Sequence, residues 1–324
     1  MARAMVMHQA GGPEVLRAES VNVGEPGPGQ IRLRQTAVGV NFHDIYVRSG
    51  LYQTLPLPGV PGLEAAGVVT AVGEGVSGFK DGDRVAYTSG NYGAYTDERL
   101  LDASRAVHLP DHVDDLTAAS MMVRGLTACV LLQRVFPVRA GQTLLVQAAA
   151  GGVGQLLVQW AHHLGATVIG TVGSEEKAEL VRGMGCDHVI LYRHEDVVQK
   201  VKAITEGRGV DVAYDSVGKD TFYGSLDALA PLGHLVNFGQ SSGSVEPMPV
   251  SLLARASNTV VRPMLGHYTA TPESRDQAAN AFFDALKDGI LKPVPPVRYA
   301  FEDVGQAHTD MENRKTHGAV VLEV

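Results

Sequence analysis

Ala148-Ala149-Ala150-Gly151-Gly152-Val153-Gly154 joins two segments of different periodicity, and that placement decides the fold. Before it, Thr143 to Gln147 is a short apolar run of the kind that makes a buried strand. After it, Gly152 to Leu164 puts Val153, Leu156, Leu157, Trp160 and Leu164 on one helical face. Small residues at a strand-to-helix turn let the backbone approach a pyrophosphate, whose charge the leading amides and the helix dipole favour. Ala149 stands where the usual G-x-G-x-x-G has its first glycine, so the motif alone is weak. A tight turn with no ligand is the plain alternative.

The same alternation continues downstream. Thr167 to Val172 reads as a second strand and Glu175 to Met184 as a helix. Further strands are expected at His188 to Leu191, Val210 to Tyr214 and His234 to Phe238, each after a helical segment. Such a run implies a parallel sheet covered on both faces, and right-handed crossovers lead to the doubly wound α/β fold. Upstream the chain is rich in Gly and Pro, with short alternating segments at Gln30 to Val40, Glu64 to Val72 and Asp83 to Tyr87, an irregular β-rich domain. Asp276 to Asp288 reads as an amphipathic helix and Ala319 to Leu322 as a closing strand.

The end of the second strand bears on cofactor choice. An NAD-type site places Asp or Glu there, about twenty residues beyond the glycines, against the ribose 2′-hydroxyl. This chain reads Gly170-Thr171-Val172-Gly173-Ser174-Glu175-Glu176-Lys177 instead. Ser174 offers a hydrogen bond to a 2′-phosphate, Lys177 offers a charge, and Tyr192 past the third strand adds a phenolic hydroxyl. The alternative is a helix N-terminus with Ser174 as its cap and Lys177 on a solvated face, and the two readings are compatible.

Composition sets the limits. A chain of 324 residues suits two domains, and 45% hydrophobic with 19% charged residues is ordinary for a globular protein. The longest uninterrupted apolar runs fall short of the ~20 residues of a membrane span, and no signal-peptide block precedes Gly11-Gly12-Pro13, so a cytoplasmic protein with no membrane partner is expected. A net charge of -8 argues against general nucleic-acid binding. Cys129 and Cys186 are the only cysteines, which excludes a disulfide framework or a cysteine-built structural zinc site.

Several strings together carry a family resemblance: Gly11-Gly12-Pro13-Glu14-Val15-Leu16, Val40-Asn41-Phe42-His43-Asp44, Tyr46 with Arg48-Ser49-Gly50-Leu51-Tyr52, Ala148 to Gly154, and Tyr214-Asp215-Ser216-Val217-Gly218. With Asn237-Phe238-Gly239 and Arg262-Pro263, the chain resembles the bacterial NADPH:quinone oxidoreductases almost throughout. These are the zeta-crystallin-like branch of the zinc-free medium-chain dehydrogenase/reductase superfamily. The resemblance implies a GroES-like catalytic domain over 1–124, completed by 266–324, and a Rossmann domain over 125–265. It also implies NADPH as hydride donor and a homodimer formed through the Rossmann domains.

Residue by residue, the resemblance implies that Asn41, Phe42 and Tyr46 serve the cofactor and active site. Thr127 and Val130 would lie near the nicotinamide, and Gly152 and Val153 along the pyrophosphate. Gly173, Ser174, Lys177 and Tyr192 would hold the adenosine phosphate. Ser216, Val217, Phe238, Gly239, Ser241, Pro263, Met264, Leu265 and Arg314 would line the rest of the cofactor groove. The chain departs mildly from the pattern at Arg124, where relatives often carry Lys, and at Gln240, where Asn is common.

Zinc alcohol dehydrogenases share the implied fold, but their catalytic zinc needs a Cys near Asn41 and a His-Glu pair where this chain has Leu63-Glu64. Leucine cannot bind zinc. His108 and His112 are separated by Pro110, and the adjacent His162 and His163 diverge on a helix, so no metal site is expected. Without a Lewis acid the protein must supply orientation and hydrogen bonds. Tyr46 and Tyr52 flank a Gly-containing loop and are read as facing the active-site cleft, where one donates to the oxygen that gains charge, and the resemblance adds Asn41 as a catalytic candidate. Two amphipathic tyrosines on a domain rim are the alternative. His43-Asp44 offers a proton relay, with an exposed loop pair as the favoured reading. Two classes of function stay open: a reductase of quinones or of activated alkenes such as enones, and an NADPH-binding protein with a non-enzymatic role.

Overall fold

In the computed structural model, residues 1–88, 91–316 and 318–324 are described. They form two compact units: Met1–Arg124 with Thr271–Phe283 and Pro293–Val324, and Gly125–Ala270 with Asp284–Lys292. The first unit opens with the antiparallel pair β1 (Ala2–Val6) and β2 (Arg17–Val21), then β3 (Gln30–Val40) and α1 (Phe42–Ser49). β4 (Glu64–Val72), β5 (Arg84–Thr88), β6 (Glu98–Asp102) and β7 (Ala106–His108) follow. Helix α2 (Asp115–Val130) carries the chain into the second unit. That unit runs β8 (Thr143–Val146), α3 (Gly152–His163), β9 (Thr167–Val172), α4 (Glu175–Arg182), β10 (His188–Leu191), α5 (Val197–Ile204) and β11 (Val210–Asp215). It continues through α6 (Phe222–Asp227), β12 (Leu229–Asn237), β13 (Thr259–Val261) and α7 (Leu265–Tyr268). After α8 (Pro272–Lys287), β14 (Val297–Ala300), α9 (Val304–Glu312) and β15 (Val320–Glu323) belong to the first unit.

The first unit's main sheet has the order β14-β15-β3-β4-β5-β7, with β6 also paired to β3. Neighbours are antiparallel except β14 and β15. Early in β3, Ile31 and Leu33 point inward while Arg32 and Arg34 point outward, the alternation of a sheet with one buried face. Their core partners include Val69, Val85, Tyr87, Leu101, Val320 and Leu322. α1 starts where Asp44 reaches back: its Oδ2 accepts from the Asn41 amide at 2.8 Å, and its own amide donates to the Asn41 carbonyl at 3.0 Å. It stops at Gly50, whose φ of 83° is left-handed.

The second unit's sheet is parallel throughout, in the order β10-β9-β8-β11-β12-β13. This is the doubly wound Rossmann arrangement, with the order reversing between β8 and β11. Leu145, Ile169, Ile190, Ala213 and Leu235, one from each of five strands, pack with Val201 of α5 and Phe222 and Leu226 of α6. Each large side chain there contributes about 1.5–3 kcal/mol. β12 begins at Leu229, earlier than the expected His234, because the chain absorbs Pro231 and Gly233 in a bulge where Leu232 has a φ of 63°. The helical stretch Asp115–Val135 is long and apolar enough to cross a membrane by length and composition, yet 72% of its most apolar window is buried inside the protein, as in a core helix.

Candidate functional site

At the carboxyl ends of β8, β9 and β11, buried side chains lock the loops together. The Thr171 hydroxyl donates to Gln147 Oε1 at 2.7 Å and accepts from the Ala148 amide at 3.2 Å. Gln147 Nε2 donates to Ser225 Oγ at 3.0 Å, and Ser225 donates to Asp215 Oδ2 at 2.9 Å. Asp215 Oδ1 accepts from the amides of Val217 and Gly218 at 2.8 and 3.0 Å, fixing the turn that carries Ser216 and Val217. This scaffold went unread in the sequence, although an Asp at a strand end followed by Ser-Val-Gly carries its signal.

The glycine turn is built for close approach. Ala148 is left-handed at φ 52°, and a Cβ on Gly154 would fall 2.4 Å from the Ala148 carbonyl. Gly151 caps α3 without a side chain, so the amides of residues 152–154 open the helix with no capping group in front of them. Gly152 and Val153 are half-buried there. This fits a pyrophosphate.

Gly173, Ser174, Lys177 and Tyr192 come together at the end of β9. A Cβ on Gly173 would lie 2.7 Å from Tyr192 Oη, so only glycine admits the phenol there. Tyr192, 41% exposed, is anchored by its amide donating to the Val172 carbonyl at 3.2 Å. Ser174 Oγ accepts from the Lys177 amide at 3.4 Å, which makes it the N-cap of α4 and holds Lys177 in the first turn. Ser216, Val217, Phe238, Gly239 and Ser241 form a second group: the Phe238 amide donates to the Asp215 carbonyl at 2.8 Å and the Ser241 amide to the Ser216 carbonyl at 3.2 Å. Arg262 Nη1 donates to the carbonyls of Asn237 and Gly239 at 3.0 and 3.1 Å, just before Pro263, Met264 and Leu265. On α2, Thr127 is half-buried and Val130 buried. Arg314 belongs to the first unit, in a left-handed conformation after α9.

In the first unit Asn41 is 7% exposed and its Nδ2 donates to Glu64 Oε1 at 2.7 Å. Glu64 Oε2 accepts from the Val123 amide at 2.6 Å. Burial pushes the Glu64 carboxyl up, opposed by the Arg124 guanidinium, which donates to the carbonyls of Ser120 and Val40 at 2.8 and 2.9 Å. Gly39 makes room for the carboxylate, since a Cβ there would lie 2.5 Å from Glu64 Cγ.

Rings gather on α1 and the segment after it. Tyr46 and Tyr52 meet edge to face at 5.1 Å, Tyr52 and His43 at 5.2 Å, and Phe42 lies 6.3 Å from Tyr46. The sequence places Tyr46 beside a loop; it lies within α1. The reading of His43-Asp44 as an exposed loop pair is corrected, because both residues are helical, Asp44 is 0% exposed and His43 is half-buried. Burial lowers His43 to about 4 and raises Asp44 to about 7. Asp44 Oδ2 also accepts from the Tyr95 hydroxyl at 3.2 Å, and Tyr95 Oη lies 2.8 Å from His308 Nε2.

His108 Nε2 lies 2.9 Å from the Gly78 carbonyl and His112 Nε2 3.3 Å from that of Phe283, so the two imidazoles serve separate partners. His162 and His163 are exposed at the end of α3. Among the described residues no three His, Cys, Asp or Glu side chains gather as a metal site. Both cysteines are free, and burial pushes their thiols up to about 11.

Residues 27–111 match the family described as the alcohol dehydrogenase GroES-like domain, and residues 152–282 the one described as zinc-binding dehydrogenase. The chain is 45% identical to a quinone oxidoreductase of Pseudomonas aeruginosa and 44% identical to a 2-haloacrylate reductase of a Burkholderia species, covering 99% of both chains in each case. The crystal structure of Escherichia coli quinone oxidoreductase complexed with NADPH superposes with a TM-score of 0.97 at 40% identity, covering 100% of both chains. With the same two-part fold and an identity of this size over the whole length, the chain belongs to the quinone oxidoreductase family of the medium-chain dehydrogenases/reductases.

Proposed function

We propose that this protein is an NADPH-dependent, zinc-independent reductase of quinones. The end of β9 supports the reading: Ser174 stands where an NAD-type site has its carboxylate, its Oγ accepts from the Lys177 amide in the first turn of α4, and the Tyr192 phenol lies beside Gly173. The NADPH complex of the E. coli relative supports the same cofactor. NADPH, when bound, supplies the hydride. Gly152 and Val153 would receive the pyrophosphate, and Gly173, Ser174, Lys177 and Tyr192 the 2′-phosphate. Thr127, Val130, Ser216, Val217, Phe238, Gly239, Ser241, Pro263, Met264, Leu265 and Arg314 would line the remainder of the cofactor.

Asn41, held by Glu64, orients the reacting groups, and Tyr46 or Tyr52 donates a hydrogen bond to the acceptor oxygen as its charge grows. A flat quinone suits the aromatic walls of Tyr46 and Tyr52. Similarity to the 2-haloacrylate reductase favours activated alkenes as a second acceptor class. The protein would act in the cytoplasm as a homodimer. The outer edge of β13, whose one partner in the sheet is β12, offers backbone groups to a second copy.

Initial rates with NADPH and with NADH, against a small quinone, an enone and a haloacrylate, test the reading. Quinone reduction that prefers NADPH is expected. NADH preference, or turnover of alkenes alone, would overturn it.

A further inference from the structure

His43 and Tyr92 lie 49 residues apart in the chain, yet His43 Nε2 is 3.0 Å from Tyr92 Oη. The same Oη is hydrogen-bonded to Thr54 Oγ1. Tyr92 is 5% exposed and left-handed, with φ 56°, a conformation unfavourable for a bulky residue that persists only where the surroundings enforce it. That backbone sets the phenol between Thr54 and His43. Thr54 is exposed, whereas the His43 ring lies against Tyr52, which in turn meets Tyr46. Successive hydrogen bonds thus link an exposed hydroxyl, through Tyr92, to His43 beside the rings against which an acceptor would lie.

We propose that Thr54, Tyr92 and His43 form the proton-delivery chain of the reductase, with His43 Nδ1 handing the proton to the acceptor oxygen. The proposal rests on the quinone-reductase reading above and adds the source of the proton that reading requires. Reduction of a quinone to a hydroquinone takes one hydride and one proton. When the hydride has added, the acceptor oxygen carries the charge and takes the proton on Nδ1. Nε2 takes the phenolic proton of Tyr92, Tyr92 takes the hydroxyl proton of Thr54, and Thr54 takes one from a solvent water, whose hydroxide is neutralised in the bulk, so that one solvent proton is consumed per turnover. No charge is left on the protein, and exchange of the ring protons with water restores the starting tautomer.

A through-ring relay needs an imidazole with one proton and one lone pair. Burial keeps His43 in that neutral form by lowering it to about 4, and burial likewise raises Tyr92, keeping its hydroxyl protonated.

The test uses the whole protein with NADPH and a small quinone, reading kcat, KM for NADPH and the solvent deuterium isotope effect. Tyr92→Phe and His43→Ala are expected to lower kcat on the order of 10²-fold, the scale of a lost general acid, with KM for NADPH little changed. Added imidazole should restore part of the His43→Ala turnover. Thr54→Val alters only an exposed side chain and keeps the test valid if the buried variants fold poorly; it should lower kcat several-fold and change the solvent isotope effect. Wild-type kcat and isotope effect in Thr54→Val and Tyr92→Phe would overturn the relay alone. Absence of turnover in the wild type would overturn the quinone-reductase reading and the relay with it.

Discussion

Replacing Asp44 by Asn should change how stability depends on pH. Asp44 is 0% exposed, and its Oδ1 is the one buried side-chain polar atom without a hydrogen-bond partner among the described residues. Its Oδ2 has two donors, the Asn41 amide at 2.8 Å and the Tyr95 hydroxyl at 3.2 Å. Burial outweighs them and, with Glu64 adding like charge, raises the carboxyl from 3.8 to about 7. In the unfolded chain Asp44 loses its proton near pH 4, whereas the folded protein keeps it to about pH 7. Between these values unfolding releases a proton, so stability falls as pH rises, by about 4 kcal/mol in total, and the loss is complete above pH 7.

Asn at this position cannot ionise, so the variant lacks that slope. The new amide nitrogen would occupy the unpartnered corner and cost about 1–3 kcal/mol at every pH. Relative to wild type, Asp44→Asn should therefore be less stable near pH 4 and equal or more stable at pH 8, the difference moving by about 4 kcal/mol across the window. Denaturant unfolding of both proteins at several pH values measures it, and taking the difference removes the titration of His43 and His308, common to both. A difference that stays constant from pH 4 to 8 would refute the argument that Asp44 is carried protonated by burial.

Lys177→Ala should weaken NADPH binding by about 1–3 kcal/mol and leave NADH nearly untouched, as fluorescence titration with both cofactors would report; equal losses would remove the phosphate role. Tyr46→Phe should lower turnover at a cost of ~1–3 kcal/mol without much change in NADPH affinity, because a bond to the developing oxyanion strengthens in the transition state. Unchanged kcat with both a quinone and an enone would take Tyr46 out of the mechanism. Activity should survive exhaustive chelation, and stoichiometric zinc whose removal abolishes turnover would overturn the zinc-free reading.

The strand-turn-helix of β8 and α3 was legible because its information is local. An apolar run, a glycine turn and a stripe at helical spacing lie within some twenty residues, and each excludes other solutions. Helix α2 shows the opposite case: it is buried nearly all round, with Ser120 and Arg124 buried alongside Met121, Met122, Leu126, Cys129 and Val130, so no exposed polar face sets off an apolar stripe to read. Helix α1 had a usable signal, Asn41 followed three residues later by Asp44, the spacing of a reciprocal N-terminal cap. Reading that pair as a cap would have placed Asp44 against the helix start and Tyr46 within the helix.

What no local reading could supply is the pairing of side chains brought together by tertiary structure. Asp44, Tyr95 and His308 are joined across 51 and 213 residues of chain. Arg48 Nη1 lies 3.5 Å from His308 Nδ1 and can only donate, so the imidazole proton sits on Nε2 and is donated to Tyr95 Oη. The Tyr95 proton is then the one given to Asp44. The directions of the His308–Tyr95 and Tyr95–Asp44 hydrogen bonds thus follow from the Arg48 guanidinium, which pairs with Glu312 at 2.7 Å. Composition and spacing show each residue type but not its partner, and it is the partner that decides where the proton lies. The same holds for His43, whose role changes from half of an exposed pair to a link in a relay once Tyr92 is found beside it.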